Sequence, residues 1–380
     1  MIPYGRQSID DTDIDAVVAV LRSAWLTQGP TVPALEAAFV KRCQAKYAVA
    51  VSNATAALHL ACKALGVSPG DHVWTSPNSF VASANCARYC GASVDFVDID
   101  PATLNLSIGD LEAKLQIAAS QGKLPKIVIP VHFSGRACDM SAIARLGRRY
   151  GFRIIEDASH AVGALYQGEP VGSCRHSDIT IFSFHPVKII TTGEGGMALT
   201  NDPDLAARLQ RLRSHGITRD PEVMPIPGDG PWHYQQIELG FNYRLTDMQA
   251  ALGLSQLRRL DEFLAQRRHL VRRYATLLGG LPFTLPAADE ESAWHLYPIR
   301  IAAERRRAVF ETLQASGIGA QVHYIPIHLQ PYYRMLGFDP GDFPAAEAYY
   351  AEALSLPLYP ALTEDDQDRV CAVLRSAVGA

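Results

Sequence analysis

The stretch SFHPVKIITTGEGGMALTND, Ser183 to Asp202, sets one lysine, Lys188, between an apolar run and a cluster of glycines. A lysine in such company can be a solvated surface charge, a phosphate ligand or a nucleophile. A phosphate loop reads G-x-x-x-x-G-K-[ST], with its glycines ahead of the lysine, whereas Gly193, Gly195 and Gly196 follow Lys188. A dinucleotide fingerprint opens a helix, but Gly193-Glu194-Gly195 runs into the strand-like segment GMALTN. The remaining chemistry is that of an amine that attacks a carbonyl and forms a Schiff base. Val187, Ile189 and Ile190 supply the apolar setting that lowers the pKa of such an amine.

A Schiff-base lysine serving pyridoxal phosphate makes three further demands: a carboxylate to keep the pyridinium nitrogen protonated, donors for a dianionic phosphate, and an aromatic plate against the ring. Asp157 ends the apolar run FRIIED, and the carboxyl ends of strands line the crevice of an open α/β sheet. By itself it reads equally as a strand-end turn residue. His160, three residues on in EDASHA, is placed to contact the cofactor's phenolic oxygen. VSNATAALHLACKALG passes from strand to helix with Asn53, Ala54, Thr55 and Ala56 in the first turn, where free N–H groups, the helix dipole and small side chains favour an anion. Simple N-capping by Ser52 or Asn53 is compatible with that use. Ser183 adds a hydroxyl five residues before Lys188, and Phe80 stands at the start of another helix, where one aromatic residue also reads as core.

These residues need a scaffold that gathers strand ends. The runs YAVAVS, DHVWTS, SVDFVDI, KIVIPVHF, FRIIED, DITIFSF and GMALTN alternate with helical stretches such as ATAALHLACKALG and DMSAIARLGRRYG, which predicts an α/β domain with a mainly parallel sheet covered on both faces. Near Thr246, a suitable N-cap, the pattern changes to one long helical run, TDMQAALGLSQLRRLDEFLAQRRHLVRRYATLL. A smaller α+β unit follows, with strands expected at HLYPIRI and AQVHYIPI. The expected division is therefore residues 1–245 and 246–380. The polar, proline-rich segment HGITRDPEVMPIPGDGPWHYQQIELG reads as an ordered functional loop or a lid.

Composition removes several function classes. At 380 residues, with 48% hydrophobic and 19% charged residues, the chain can bury a substantial core. Its 35 Lys and Arg against 39 Asp and Glu leave a net charge of -4 with no basic footprint for nucleic acid. Seven scattered cysteines without a CxxC pair point to a reducing compartment and to no metal site. MIPYGRQSIDD has neither a basic nor an apolar leader region and no stretch approaches a membrane span, so the expected location is cytoplasmic, with no membrane partner.

The strings SNATAALHLA, EDASHA, SFHPVK…TTGEGG and GFNYRLTDMQAALG together resemble the DegT/DnrJ/EryC1/StrS family of sugar-nucleotide aminotransferases, along essentially the whole chain. The resemblance implies a pyridoxal-phosphate-dependent transferase of fold type I, like aspartate aminotransferase, with a large mainly parallel-sheet domain and a smaller C-terminal α+β domain. It implies Lys188 as the Schiff-base residue, Asp157 on the pyridinium nitrogen, Phe80 on the ring, and Thr55, Ala56 and Ser183 on the phosphate. Asn242, in GFNYR, would reach the phosphate of a neighbouring subunit's cofactor, making a homodimer with shared active sites. Family members with histidine in place of the lysine are dehydratases, a branch that Lys188 argues against.

Within the family, MIPYGRQ, AWLTQGP, PWHYQQIELGFNYRLTD, WHLYPI and QVHYIPIHLQPYYR resemble the branch that aminates C4 of UDP-2-acetamido-2,6-dideoxy-β-L-arabino-hexos-4-ulose. That branch uses L-glutamate and yields UDP-4-amino-4,6-dideoxy-N-acetyl-β-L-altrosamine on the route to pseudaminic acid. Trp25, Thr27, His323 and Tyr324 are then expected near the sugar nucleotide. If AQVHYIPI is a strand, neighbours face opposite sides and only one of His323 and Tyr324 enters the site. Two other readings stand beside this one. One is an aminotransferase for another nucleotide sugar, such as UDP-4-keto-arabinose or GDP-4-keto-6-deoxymannose. The other is a non-catalytic pyridoxal-phosphate-binding regulatory protein, for which a missing lysine, aspartate or phosphate cradle would speak.

Overall fold

Short runs rich in Val, Ile and Ala, too brief for a buried helix and bounded by turn residues, form the strands of one sheet. In the computed structural model, which describes residues 1–379, these are β1 (Tyr47–Val51), β2 (His72–Thr75), β3 (Ser93–Phe96), β4 (Ile127–Ile129), β5 (Arg153–Asp157), β8 (Ile179–Ser183) and β9 (Gly196–Thr200). A small antiparallel pair, β6 (Leu165–Tyr166) and β7 (Glu169–Pro170), lies between β5 and β8 in the chain. The sheet order is β1-β9-β8-β5-β4-β2-β3. Every neighbouring pair is parallel except those made by β9, which runs against both β1 and β8. The carboxyl ends of β1, β2, β4, β5 and β8 therefore all open on one edge.

Helices α1 (Asp11–Leu21), α2 (Thr31–Cys43), α3 (Ala54–Ala64), α4 (Ala82–Tyr89), α5 (Ile108–Gln121), α6 (Met140–Tyr150) and α7 (Pro203–Arg213) surround the sheet. Of these, α3 is the most deeply set: its alanines and leucines are buried almost continuously, so it lies inside the protein and its N-terminus ends within it. Gly196 on β9 permits this. A Cβ there would stand 2.6 Å from the carbonyl carbon of Asn53 and 2.7 Å from the Ala54 nitrogen, so only glycine lets the start of α3 lie against the strand.

The long segment 215–240 is a loop pinned by β10 (Ile217–Thr218) and β11 (Gln235–Gln236), which pair antiparallel. The helical run after Thr246 is two helices rather than one, α8 (Asp247–Arg258) and α9 (Leu260–Leu278). Thr246 and Gln249 form a capping box at its start. Arg259 leaves helical geometry (φ -98°, ψ 5°), and its guanidinium turns to Asp10 (2.8 Å) and to buried Asp13 under α1, a long-range pull that helical periodicity cannot register.

The C-terminal unit comprises α9, the antiparallel pair β12 (Tyr297–Arg300) and β13 (Ala353–Leu356), α10 (Ala303–Ala315), the short α11 (Pro331–Arg334), α12 (Pro344–Glu352) and α13 (Glu364–Val378). Leu270, Tyr274, Ile299, Leu313, Leu354 and Leu374 are among the members of its own core. Ile2 joins that core and bridges to Ile318, so the first residues pack outside the unit to which a division at residue 245 assigns them. The expected strand AQVHYIPI is reduced to one bridge, Gln321 with Ser355. Past it the backbone leaves β13, and the Ile327 N–H donates to the Pro77 carbonyl (2.9 Å) in the loop after β2. This crossing brings the segment over the open edge of the large sheet.

Candidate active site

One cavity of about 740 Å³ opens at the carboxyl ends of β1, β2, β5 and β8, and Lys188 is the only lysine or arginine among the described residues lining it. Lys188 follows β8 in a loop closed on both sides: the Lys188 N–H donates to the His185 carbonyl (2.9 Å), and the Thr192 N–H to the Phe184 carbonyl (3.0 Å). Ile189 and Ile190, next in the chain, are buried and anchor the loop in the core. The amine has no hydrogen-bond or ion-pair partner among the described residues. Burial pushes its pKa down to about 8, and the Asp157 carboxylate opposes that shift.

Asp157 terminates β5 and is buried without a cationic partner among the described residues. Its two oxygens are supplied by hydroxyls instead. Oδ1 accepts from the Ser159 hydroxyl (2.6 Å) and N–H (3.2 Å), and Oδ2 accepts from the Ser83 hydroxyl (2.6 Å) on α4. The Ser79 hydroxyl stands 2.7 Å from that of Ser83. These contacts hold the carboxylate at the floor of the cavity.

At the N-terminus of α3, the Ala54 and Thr55 N–H groups have no acceptor among the described residues. The Ala56 N–H donates to the Asn53 side chain (2.8 Å). The N–H of Ala56, expected on the phosphate, is thus engaged by the N-cap here, and the free donors are one and two residues earlier. Ser183 is buried on the same wall. Phe80 is 59% exposed at the rim, its ring centroid 6.4 Å from that of Tyr324.

His160 lines the cavity with both nitrogens engaged. Its Nδ1 accepts from the Ser134 N–H (3.3 Å), and its Nε2 lies 3.1 Å from the Tyr324 hydroxyl. The expectation that it reaches a phenolic oxygen of a cofactor meets a ring already committed to Tyr324. Burial first, and the charge of Lys188 second, hold His160 well below the usual imidazole range. His323 is held at about 4 by the same causes, and its Nδ1 lies 2.9 Å from the Ser355 hydroxyl. Both His323 and Tyr324 line the cavity, contrary to the alternation expected of a strand, because their segment is not one.

Three expected residues are not gathered there in the single chain. Trp25 is 56% exposed, Thr27 pairs with Thr246 on the surface, and Asn242 is exposed where it bridges to Ser214. The cavity in turn contains residues that sequence reasoning did not single out: Ser83, which orients Asp157, the buried His295, and the aromatic wall of His59, Tyr89 and Tyr243. His295 lies within WHLYPI, and its ring centroid is 4.4 Å from that of His160, but nothing in the local pattern separates it from a core histidine.

An unpartnered amine, a buried carboxylate without a cation and free N–H groups at a helix start suit a molecule that carries a carbonyl, a protonated ring nitrogen and an anionic phosphate. Pyridoxal phosphate has this composition. No helix among the described residues is long and apolar enough to cross a membrane, and no cluster of three or more His, Cys, Asp or Glu among them could hold a metal ion.

The whole chain is similar to known proteins. Residues 7–375 match the DegT/DnrJ/EryC1/StrS aminotransferase family. The spore coat polysaccharide biosynthesis protein SpsC of Bacillus subtilis is 39% identical over an alignment of 386 positions that covers 99% of this chain and 97% of SpsC. Among solved structures, Helicobacter pylori PseC, an aminotransferase of pseudaminic acid biosynthesis, superimposes with a TM-score of 0.92 at 29% identity over 100% of this chain and 99% of its own. The sugar aminotransferase Spr1654 of Streptococcus pneumoniae in its PMP form gives 0.91 at 31% identity, with the same coverage of both chains.

Proposed function

The chain belongs to the DegT/DnrJ/EryC1/StrS aminotransferase family, and from that premise we propose that it transfers an amino group onto the keto carbon of a nucleotide-linked sugar, with pyridoxal phosphate as cofactor. The observation that carries this reading is the Lys188 amine, unpartnered and with its pKa near 8, in a cavity that also holds Asp157 and the free end of α3.

Pyridoxal phosphate, when bound, supplies a carbonyl for the lysine and a ring that draws electrons from an amino-bearing carbon. Lys188 Nζ would hold it covalently. The Ala54 and Thr55 N–H groups and the Ser183 hydroxyl would hold its phosphate, Asp157 the proton on its ring nitrogen, and Phe80 its ring face. Lys188 Nζ is also the base. Uncharged above about pH 8, it is able to carry a proton at the amino-bearing carbon, and His160, His295 and His323 are weaker bases because burial lowers their pKa values. Asn242, outside this cavity, would serve the site of a second copy in a homodimer. Exposed Trp25, Trp232, Tyr234 and Leu239 fit a surface that such a copy covers. A cytoplasmic location belongs to the same proposal, since it suits an enzyme whose substrates are water-soluble sugar nucleotides.

For the substrate we favour UDP-2-acetamido-2,6-dideoxy-β-L-arabino-hexos-4-ulose with L-glutamate as donor, on the support of the sequence strings and of the likeness to PseC. The higher identity to SpsC favours a second reading, amination of another 4-keto nucleotide sugar destined for a polysaccharide. Incubating the protein with L-glutamate and a panel of UDP- and GDP-linked 4-keto sugars tests both. Amination of the UDP hexosulose alone supports the first, preference for a pentose or a GDP sugar supports the second, and no amination of any refutes both. Borohydride reduction followed by peptide mapping tests the lysine: label on any residue other than Lys188 removes its assigned role.

A further inference from the structure

The His160–Tyr324 contact has a direction. An imidazole that accepts a hydrogen bond at one ring nitrogen while neutral carries its proton on the other. His160 Nδ1 accepts from the Ser134 N–H, so Nε2 bears the proton and donates it to the Tyr324 oxygen 3.1 Å away. The Tyr324 O–H, its acceptor role filled on that side, must then point its own proton elsewhere, and the cavity is where the residue is open. Burial raises the phenol well above its ordinary range, so the proton stays on it.

Ser134 holds this relay in place. It sits in the left-handed region (φ 62°), its hydroxyl donates to the Leu296 carbonyl (2.7 Å), and its own carbonyl accepts from the His295 N–H (2.8 Å). Gly135 beside it allows the approach, since a Cβ there would meet the Trp294 nitrogen at 2.7 Å. The turn after β4 is thereby locked to the strand-leading segment 294–296, and the His160 tautomer is set by backbone rather than by a mobile side chain.

We propose that Tyr324 is a one-way hydrogen-bond donor to the carbonyl oxygen of the keto sugar, and that His160 and Ser134 are positioning residues that aim it. A carbonyl fits better than the carboxylates of an amino acid, because Tyr324 faces neutral imidazoles, the Tyr4 phenol and the Asp157 carboxylate, and Lys188, the only lysine or arginine among the described residues lining the cavity, is already assigned to the cofactor. This rests on the aminotransferase reading, and the two half-reactions separate one from the other.

Each half-reaction of the holoenzyme is followed by cofactor absorbance, first with L-glutamate alone and then with the UDP-linked 4-keto hexose alone. Tyr324→Phe, which keeps the ring packing, is expected to slow the sugar half-reaction about 100-fold and the glutamate half-reaction about ten-fold less than that. Cofactor-free Tyr324→Phe should bind the keto sugar about ten-fold more weakly by calorimetry. His160→Leu should slow the sugar half-reaction about ten-fold, whereas His160→Gln, whose amide can accept from Ser134 and donate to Tyr324, should restore it. Equal slowing of both half-reactions, or an unchanged sugar half-reaction in Tyr324→Phe, overturns the assignment. Absence of any glutamate half-reaction in the unaltered holoenzyme overturns the aminotransferase reading instead, and this assignment with it.

Discussion

Replacing Lys188 with methionine should stabilise the cofactor-free protein while abolishing its chemistry. A depression of the amine from 10.5 to about 8 means that folding at neutral pH must hold a charged ammonium where the neutral amine is preferred. At pH 7, below both values, the penalty is about 3 kcal/mol, from roughly 1.4 kcal/mol per pKa unit. The sign follows from proton counts. Between pH 8 and 10.5 the unfolded chain keeps the proton that the folded chain has lost, so the stability of the unaltered protein rises with pH and the penalty falls to roughly half at pH 9.5. Methionine has nearly the same length and no charge to desolvate. Urea denaturation of both cofactor-free proteins at pH 7 and pH 9.5 measures the difference. The expected result is a gain for Lys188→Met of about 3 kcal/mol at pH 7, roughly halved at pH 9.5. A gain independent of pH, or a loss at pH 7, would falsify the claim that the cavity desolvates this amine, and with it the reason for its nucleophilicity.

Asp157→Asn should lower turnover by about 100-fold or more while changing cofactor retention little, since the phosphate donors remain and only the ring-nitrogen proton loses its partner. Turnover at the unaltered rate would return Asp157 to a strand-end role. Gly196→Ala should weaken cofactor binding, measured by equilibrium dialysis, because its Cβ would stand 2.6 Å from the Asn53 carbonyl carbon and push back the start of α3. Unchanged affinity in the folded variant would place the phosphate elsewhere. Asn242→Ala and Lys188→Ala protomers, each inactive alone, should regain part of their activity after subunit exchange, because some mixed dimers carry one intact site. Exchange demonstrated by mass without recovery would argue against a shared site.

Much of this molecule is legible in local sequence because local free energies write it there. Strand length, the Thr246 capping box and the run into α3 depend on residues a few positions apart, and Lys188, Asp157, Thr55 and Ser183 all sit at the ends of such elements. Parallel strands then bring those ends to one edge, so residues picked for their place at strand ends reach one cavity without any pairwise signal between them. The misreadings have one cause as well. The long helix breaks at Arg259 because Asp10 and Asp13, almost 250 residues earlier, take its side chain, and AQVHYIPI is drawn off β13 by the Pro77 carbonyl. Ser83 and His295 carry no signature because their roles lie in what they touch across the fold, a carboxylate on β5 and a ring near Lys188. The direction of the Tyr324 hydroxyl is the most remote consequence. It depends on a backbone N–H at Ser134 and a tautomer at His160, neither of which a residue type reveals, since a hydrogen bond is set by distance and angle and these exist only once the two units are packed together.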